Sequence, residues 1–267
     1  GDYDVDGITS TSLLYSILCD LGGKPQYYIP ERMSEGYGLN REAVQSLIGD
    51  KTDILITVDC GISSYDIVDE YKDDLTIIIT DHHEPPQAIP PAFAVLNPKQ
   101  PDCPYPFTQL SGAGVAFKLG QALWQTLRKE PLPGHIELSA LGTVADVVPL
   151  TGENRIIVRY GLEAMREGKN VGLQALLADS GVDGKSLTAE RIAFSVAPRL
   201  NASGRISHAD LGVRLLLEKN PEKAKDMAHE LSELNRERQD IEHDIASQAI
   251  SQVIAEHRQG DNVLICS

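Results

Sequence analysis

The chain has 267 residues, 42% of them hydrophobic, and carries 24 basic against 39 acidic side chains for a net charge of −15. That length buries a large core as one big domain or two modest ones. No apolar run reaches the ~18 residues of a membrane span, so no span is expected. The acidity repels nucleic acid at long range and argues against a broad duplex-coating surface. It leaves room for a nuclease, whose acidic centre is neutralised by cations and whose phosphate contacts come from local arginines. The opening residues have no basic and apolar leader pattern. They start on Gly1 at or just after what should be a strand, which suggests further residues before it. Cys19, Cys60, Cys103 and Cys266 form no CxxC pair; reduced thiols and a cytoplasmic location are expected.

In chain order, Thr9 to Leu21 has helical apolar spacing and stops at Gly22-Gly23. Gln26 to Ile29 reads as a short strand and Arg41 to Ile48 as a helix. A strand over Ile54 to Val58 ends at Asp59. A helix over Ser63 to Tyr71 precedes a strand over Leu75 to Thr80, and Ala94 to Leu96 is one more strand. This rhythm predicts an α/β fold, a parallel sheet with helices on both faces. The proline-rich stretch 84–107 forbids a helix and favours an extended surface connection. Helices follow over Gly112–Leu127, His135–Val148, Arg155–Arg166 and Leu187–Phe194. Asn220-Pro221 caps a last helix without Gly or Pro to about Arg258, roughly 55 Å at ~1.5 Å per residue. Its length suits a connector, and Val263 to Cys266 looks like a first strand after it.

Chemistry concentrates where apolar runs end. Asp2, Asp4 and Asp6 open the chain before Gly7, Asp59 closes one run, Asp81-His82-His83 closes the next, and Asp146 lies in the apolar segment Gly142 to Leu150. In a parallel sheet the carboxyl ends of strands form the ligand crevice. Carboxylates with imidazoles gathered there are what a pair of divalent ions needs. Any one of them alone reads as a solvated turn or a helix cap. Asp81 also reads as an acceptor for an imidazole, and Cys60 as a small buried filler.

The segments Gly1-Asp-Tyr-Asp-Val-Asp-Gly7, Pro30 to Leu39, Thr57-Val-Asp-Cys-Gly-Ile62, Thr80-Asp-His-His83, Gly142 to Leu150 and Arg199-Leu-Asn-Ala-Ser-Gly-Arg205 stand in one order through residue 210. Together they resemble the DHH phosphoesterase superfamily, and within it the bacterial single-strand-specific exonucleases. The resemblance implies two Mn²⁺ ions, with Mg²⁺ as the alternative. Asp4 and Asp59 would hold one ion; Asp6, Asp59, His82 and Asp146 would hold the other, with Asp59 bridging. The family pattern has a further His two residues before Asp2, ahead of Gly1. His83, Asp59 and Asp146 would be the catalytic residues, His83 donating to the scissile phosphate. Arg32, Asn201, Ser203, Gly204 and Arg205 would bind substrate phosphates, the two arginines bidentately.

The implied domains are a catalytic domain over 1–210, sheet-forming to about 100 and helical from about 108. Connector helices over 211–260 and the start of a truncated DHH-associated domain over 261–267 would follow. The implied activity is 5′→3′ hydrolysis of single-stranded DNA in recombination and repair. Single-stranded DNA, a single-strand-binding protein and a helicase would be its partners, with no membrane. The alternatives are another hydrolase of the superfamily, acting on short oligoribonucleotides, cyclic dinucleotides or pyrophosphate, and a catalytically inactive scaffold.

Overall fold

The computed structural model describes residues 1–31, 36, 38–206 and 210–255. Among them three strands form one parallel sheet in the order β1 (Ile54–Val58), β2 (Thr76–Thr80), β3 (Ala94–Leu96). Side chains alternate across it. Leu55, Ile77, Ile79 and Val95 face a small core with Val44 of α2 (Arg41–Gly49) and Val68 of α3 (Tyr65–Tyr71). Ile56, Val58 and Leu96 face a large core with α1 (Val5–Asp20) and α4 (Gly112–Arg128). The expected α/β fold with helices on both faces is therefore present. Gln26 to Ile29 is the exception: it pairs with none of these strands. It is held instead by Tyr27 and Ile29 packing on the large core, by the Tyr27 hydroxyl donating to Asp210 at 2.7 Å and by the Gly1 amino group donating to the Tyr28 carbonyl at 2.9 Å, none of which makes a ladder.

The large core continues into α5 (Ile136–Ala145), α6 (Gly152–Glu167), α7 (Val171–Asp179) and α10 (Asp210–Leu217). Between them runs one unbroken rod: α8 (Ala189–Arg191), a π-helical segment (Ile192–Val196) and α9 (Ala197–Ile206). The helix α11 (Pro221–Ala255) packs on α7, α9 and α10, and its buried residues end at Asn235. Arg199 ties it down, donating from Nε to Ser232 Oγ at 2.8 Å, while Ser232 donates to Asp179. The expected strand over Val263 to Cys266 lies outside the described residues.

Two helices escaped the sequence reading, α7 and α9, while α10 falls at the start of the expected connector helices. For α7 a signal existed, since Asn170 caps it by accepting from the Leu173 N–H at 2.8 Å.

Candidate metal centre

Register brings the first ligands together. Val58 pairs with Thr80, so β1 and β2 end at one level and Asp59 and Asp81-His82-His83 leave the sheet side by side. The Thr80 hydroxyl donates to the Thr57 carbonyl at 2.8 Å and the Thr57 hydroxyl to the Cys60 carbonyl at 2.7 Å, which pins both turns. Asp59 takes φ +59°, a left-handed conformation uncommon for a residue other than Gly. Asp4 and Asp6 arrive on the first turn of α1. Asp4 is its N-cap, accepting from the Gly7 N–H at 3.0 Å. Asp146 comes from the far half of the chain, as the C-cap of α5.

The ligand atoms converge. His82 Nε2 lies 3.1 Å from Asp59 Oδ1 and 3.7 Å from both Asp6 Oδ2 and Asp146 Oδ2. Three overlapping groups each place one ligand atom per residue within 4.8 Å of the others: Asp2, Asp4 and Asp59; Asp6, His82 and Asp146; Asp59, His82 and His83.

The electrostatics fit a cation. Burial pushes Asp6 and Asp59 well above the usual carboxylate range, and neighbouring carboxylates push further. Asp2 and Asp146 rise to about 6, first through burial and then through Asp4. Crowded, dehydrated carboxylates cost free energy unless a positive charge joins them. Burial, with the charge of His83, holds His82 down to about 4, so its imidazole is neutral, the form that binds metals. Buried Nε2 is left with no hydrogen-bond partner among the described residues. The residues present thus suit a pair of divalent ions.

Supporting groups surround these ligands. Both oxygens of Asp6 accept from the N-terminus of α4, from the Gly112 N–H at 2.6 Å and the Ala113 N–H at 2.9 Å, where the helix dipole favours an anion. Asp81 is fully buried and accepts from the Ile62 and His82 N–H groups and from His83 Nδ1, at 2.9, 2.7 and 2.8 Å. Burial alone would raise this carboxyl, but the donors from His83 and Ile62 hold it below its ordinary range. The same hydrogen bond raises His83, whose ring stays 45% exposed. Cys60 is buried, which pushes its thiol up to about 11 and keeps it unreactive.

Residues 1–143 match the DHH family, N-terminal domain. The chain belongs to the DHH family. It is 44% identical over 254 residues to the single-stranded-DNA-specific exonuclease RecJ of Bacillus subtilis (strain 168), covering 95% of this chain and 32% of that protein. It is 40% identical over 265 residues to RecJ of Escherichia coli (strain K12), covering 94% and 46%. A crystal structure of exonuclease RecJ bound to manganese superposes with TM-score 0.86 at 37% identity, over 94% of this chain and 64% of that one. RecJ from Thermus thermophilus in complex with Mn²⁺ gives TM-score 0.83 at 36% identity, over 94% and 36%. This DHH chain thus spans about a third to just under half the length of the curated relatives it matches.

The expected phosphate contacts of this DHH chain are scattered in kind. Arg32 lies outside the described residues. Arg205 is exposed at the end of α9. Asn201 Oδ1 accepts from the Val5 N–H at 3.2 Å and so fixes α9 against the start of α1. Ser203 is fully buried and its hydroxyl donates to the Leu200 carbonyl at 2.7 Å, a bond inside its own helix. Gly204 lies against Tyr3, whose carbonyl oxygen would be 2.6 Å from an added Cβ.

Sequence reasoning missed four contributors to the DHH centre. Asp2, in sequence only part of a motif, is grouped with Asp4 and Asp59. The α4 N-terminus holds Asp6. Gly112 and Gly142 leave room for the ligands: an added Cβ would lie 2.5 Å from Asp59 Oδ1 at the first position and 2.5 Å from Asp6 Oδ1 at the second. For Gly142 the one available signal was its place at the start of a family segment, and for Gly112 there was none.

Proposed function

We propose that this chain is the catalytic core of a single-stranded-DNA exonuclease working with two Mn²⁺ ions. The observation that carries the reading is the overlap of the ligand groups at Asp59, which belongs to two of them. Asp4 and Asp59, joined by Asp2, would hold one ion; Asp6, Asp59, His82 and Asp146 would hold the other. Their carboxylate and imidazole donors suit Mn²⁺, and Mg²⁺ second. When bound, such a pair supplies an activated water and charge stabilisation at phosphorus during in-line displacement.

The protein's own part is positioning. Asp81 fixes the His83 ring through Nδ1 and favours its protonated form, so His83 donates from Nε2 to a phosphate oxygen. The α4 N-terminus holds Asp6 in one rotamer. Arg205, with Arg32, takes the substrate phosphate bidentately, and Asn201 ties that helix to the metal-binding turn. Residues 1–210 make up the catalytic unit, 211–260 the connector and 261–267 the start of the next domain. The names of the relatives support a single strand of DNA as substrate, and a 5′-phosphorylated end is the one we expect it to attack. A cytoplasmic place, with a single-strand-binding protein and a helicase as partners, accords with that activity and is testable by co-purification.

The deciding experiment follows release of mononucleotides in Mn²⁺ from a single-stranded oligodeoxynucleotide labelled at either end. Release from the 5′ end is expected, with duplex of the same sequence resistant. Faster turnover of a dinucleotide or of pyrophosphate than of the oligonucleotide would overturn the reading in favour of another DHH hydrolase.

A further inference from the structure

Phe194 is 80% exposed, among the most exposed large apolar side chains described. A single exposed apolar residue is ordinary, so its position has to make the case. It sits in the π-helical segment Ile192–Val196, whose defining bond runs from the Ala197 N–H to the Ile192 carbonyl. Such segments are rare and occur frequently at functional sites.

The segment continues without a break into α9. Arg205 lies about three helical turns beyond Phe194, so the two share a face of the rod at a separation of roughly 16 Å along its axis. The side chains between them on that face are Pro198 and Asn201, both only partly buried, whereas Val196, Ala197, Leu200, Ala202 and Ser203 are turned inward. Asn201 touches the first turn of α1, which carries Asp4 and Asp6. The line between the two exposed side chains thus passes beside the metal centre at Asn201. By contrast Phe93, equally exposed, precedes β3 and stands at the opposite end of the sheet from Asp59 and Asp81.

We infer that Phe194 is a stacking platform for one base of the single strand, a few nucleotides from the phosphate held at Arg205. The inference rests on the nuclease reading above and extends it. In a chain this acidic, the π-face that every base offers is a sequence-tolerant handle that does not depend on a basic groove. Stacking orders the strand without reading it, as an exonuclease requires.

The test is an abasic scan. Single-stranded oligonucleotides carry one abasic residue at successive positions, and kcat/KM in Mn²⁺ is measured for the protein and for Phe194→Ala, Phe194→Leu and Phe194→Trp. At one position the abasic residue should slow the unaltered protein about 5- to 150-fold, the equivalent of about 1–3 kcal/mol for one stacked base. Phe194→Ala and Phe194→Leu should lower kcat/KM on the intact strand by a similar factor, chiefly through KM. They should also lose sensitivity to the abasic residue at that position, and Phe194→Trp should restore it. An equal abasic response in Phe194→Ala and the unaltered protein would overturn the inference. So would a loss uniform over all positions with a lowered Tm, which would mark Phe194 as a packing residue. If the unaltered protein fails to hydrolyse the intact strand, the nuclease reading fails first and takes this inference with it.

Discussion

In the proposed centre Asp59 does two jobs from one carboxylate, and its neighbours leave it little room. It lies in two of the three ligand groups, 3.1 Å from His82 Nε2. Replacing it should therefore remove both ions, whereas Asp4→Ala should remove mainly one. Metal counting by mass spectrometry on Mn²⁺-loaded protein would distinguish two, one and none, and equal stoichiometry in the two variants would reject the bridging role. Gly142 gives a complementary test through space. Its added Cβ would meet Thr9 Oγ1 at 2.4 Å and Asp6 Oδ1 at 2.5 Å. Overpacking of this kind costs about 1–3 kcal/mol, and here it displaces a proposed ligand. Gly142→Ala should lower both Tm and Mn²⁺ affinity, the latter by roughly tenfold or more, the equivalent of about 1.4 kcal/mol. Gly49→Ala, where nothing lies within 4 Å of the new Cβ, should leave both unchanged.

Among elements, α4 serves the centre without supplying a ligand to it. Its start is set by Ser111, which is buried, accepts from the Gly114 N–H at 3.1 Å and hydrogen-bonds Thr143 Oγ1 of α5 at 3.1 Å. That cap aims the Gly112 and Ala113 N–H groups at Asp6. Ser111→Ala should cost about 1 kcal/mol in urea unfolding, the usual worth of an N-cap. Because the cap also places Asp6, Mn²⁺ affinity should fall with it. A stability loss with unaltered affinity would make the cap structural alone. The long α11 divides in two. Ala224, Ala228, Leu231, Ser232 and Asn235 are buried, while Ile241, Ile245, Ile250 and Ile254 are exposed. Helices without tertiary packing are marginal, so amides beyond Asn235 should exchange with deuterium much faster than those of 224–235. Uniform protection along α11 would contradict this.

Across the whole molecule the centre is a junction. The sheet contributes Asp59 and His82, α1 contributes Asp4 and Asp6, and the helical half contributes Asp146. Cations joining these buried and half-buried carboxylates would bind the folded state alone, and at 100 times Kd each would contribute about 2.7 kcal/mol. Saturating Mn²⁺ should therefore raise Tm over the EDTA-treated protein by about 5–10 °C per site, at the ~2–4 °C per kcal/mol of a chain this size. Scanning calorimetry with Ca²⁺ as comparison would show whether imidazole and carboxylate together prefer Mn²⁺. No shift with either ion would remove the case for a metal centre.

Strand ends were legible because their determinants are local. β1 and β2 are apolar runs stopped by Asp, and their ends announced Asp59, Asp81, His82 and His83 without reference to the rest of the chain. The long α11 was legible from its Asn-Pro start and helical spacing. The same reasoning could not place Gln26 to Ile29, since a strand exists only through its neighbours. Nor could it assign Ser203, whose hydroxyl is taken by its own helix, or Arg199, which anchors α11. The α9 rod was obscured by Pro198, Asn201 and Gly204, weak helix formers that tertiary packing overrides. Residue types and strand ends thus named the chemistry from sequence alone. Which carboxylates share an ion, which helix dipole faces Asp6 and which glycines leave room for it were decided only when β1, α1, α4 and α5 packed. Those relations join residues far apart in the chain, Asp6 and Gly112 among them, and no local pattern encodes them.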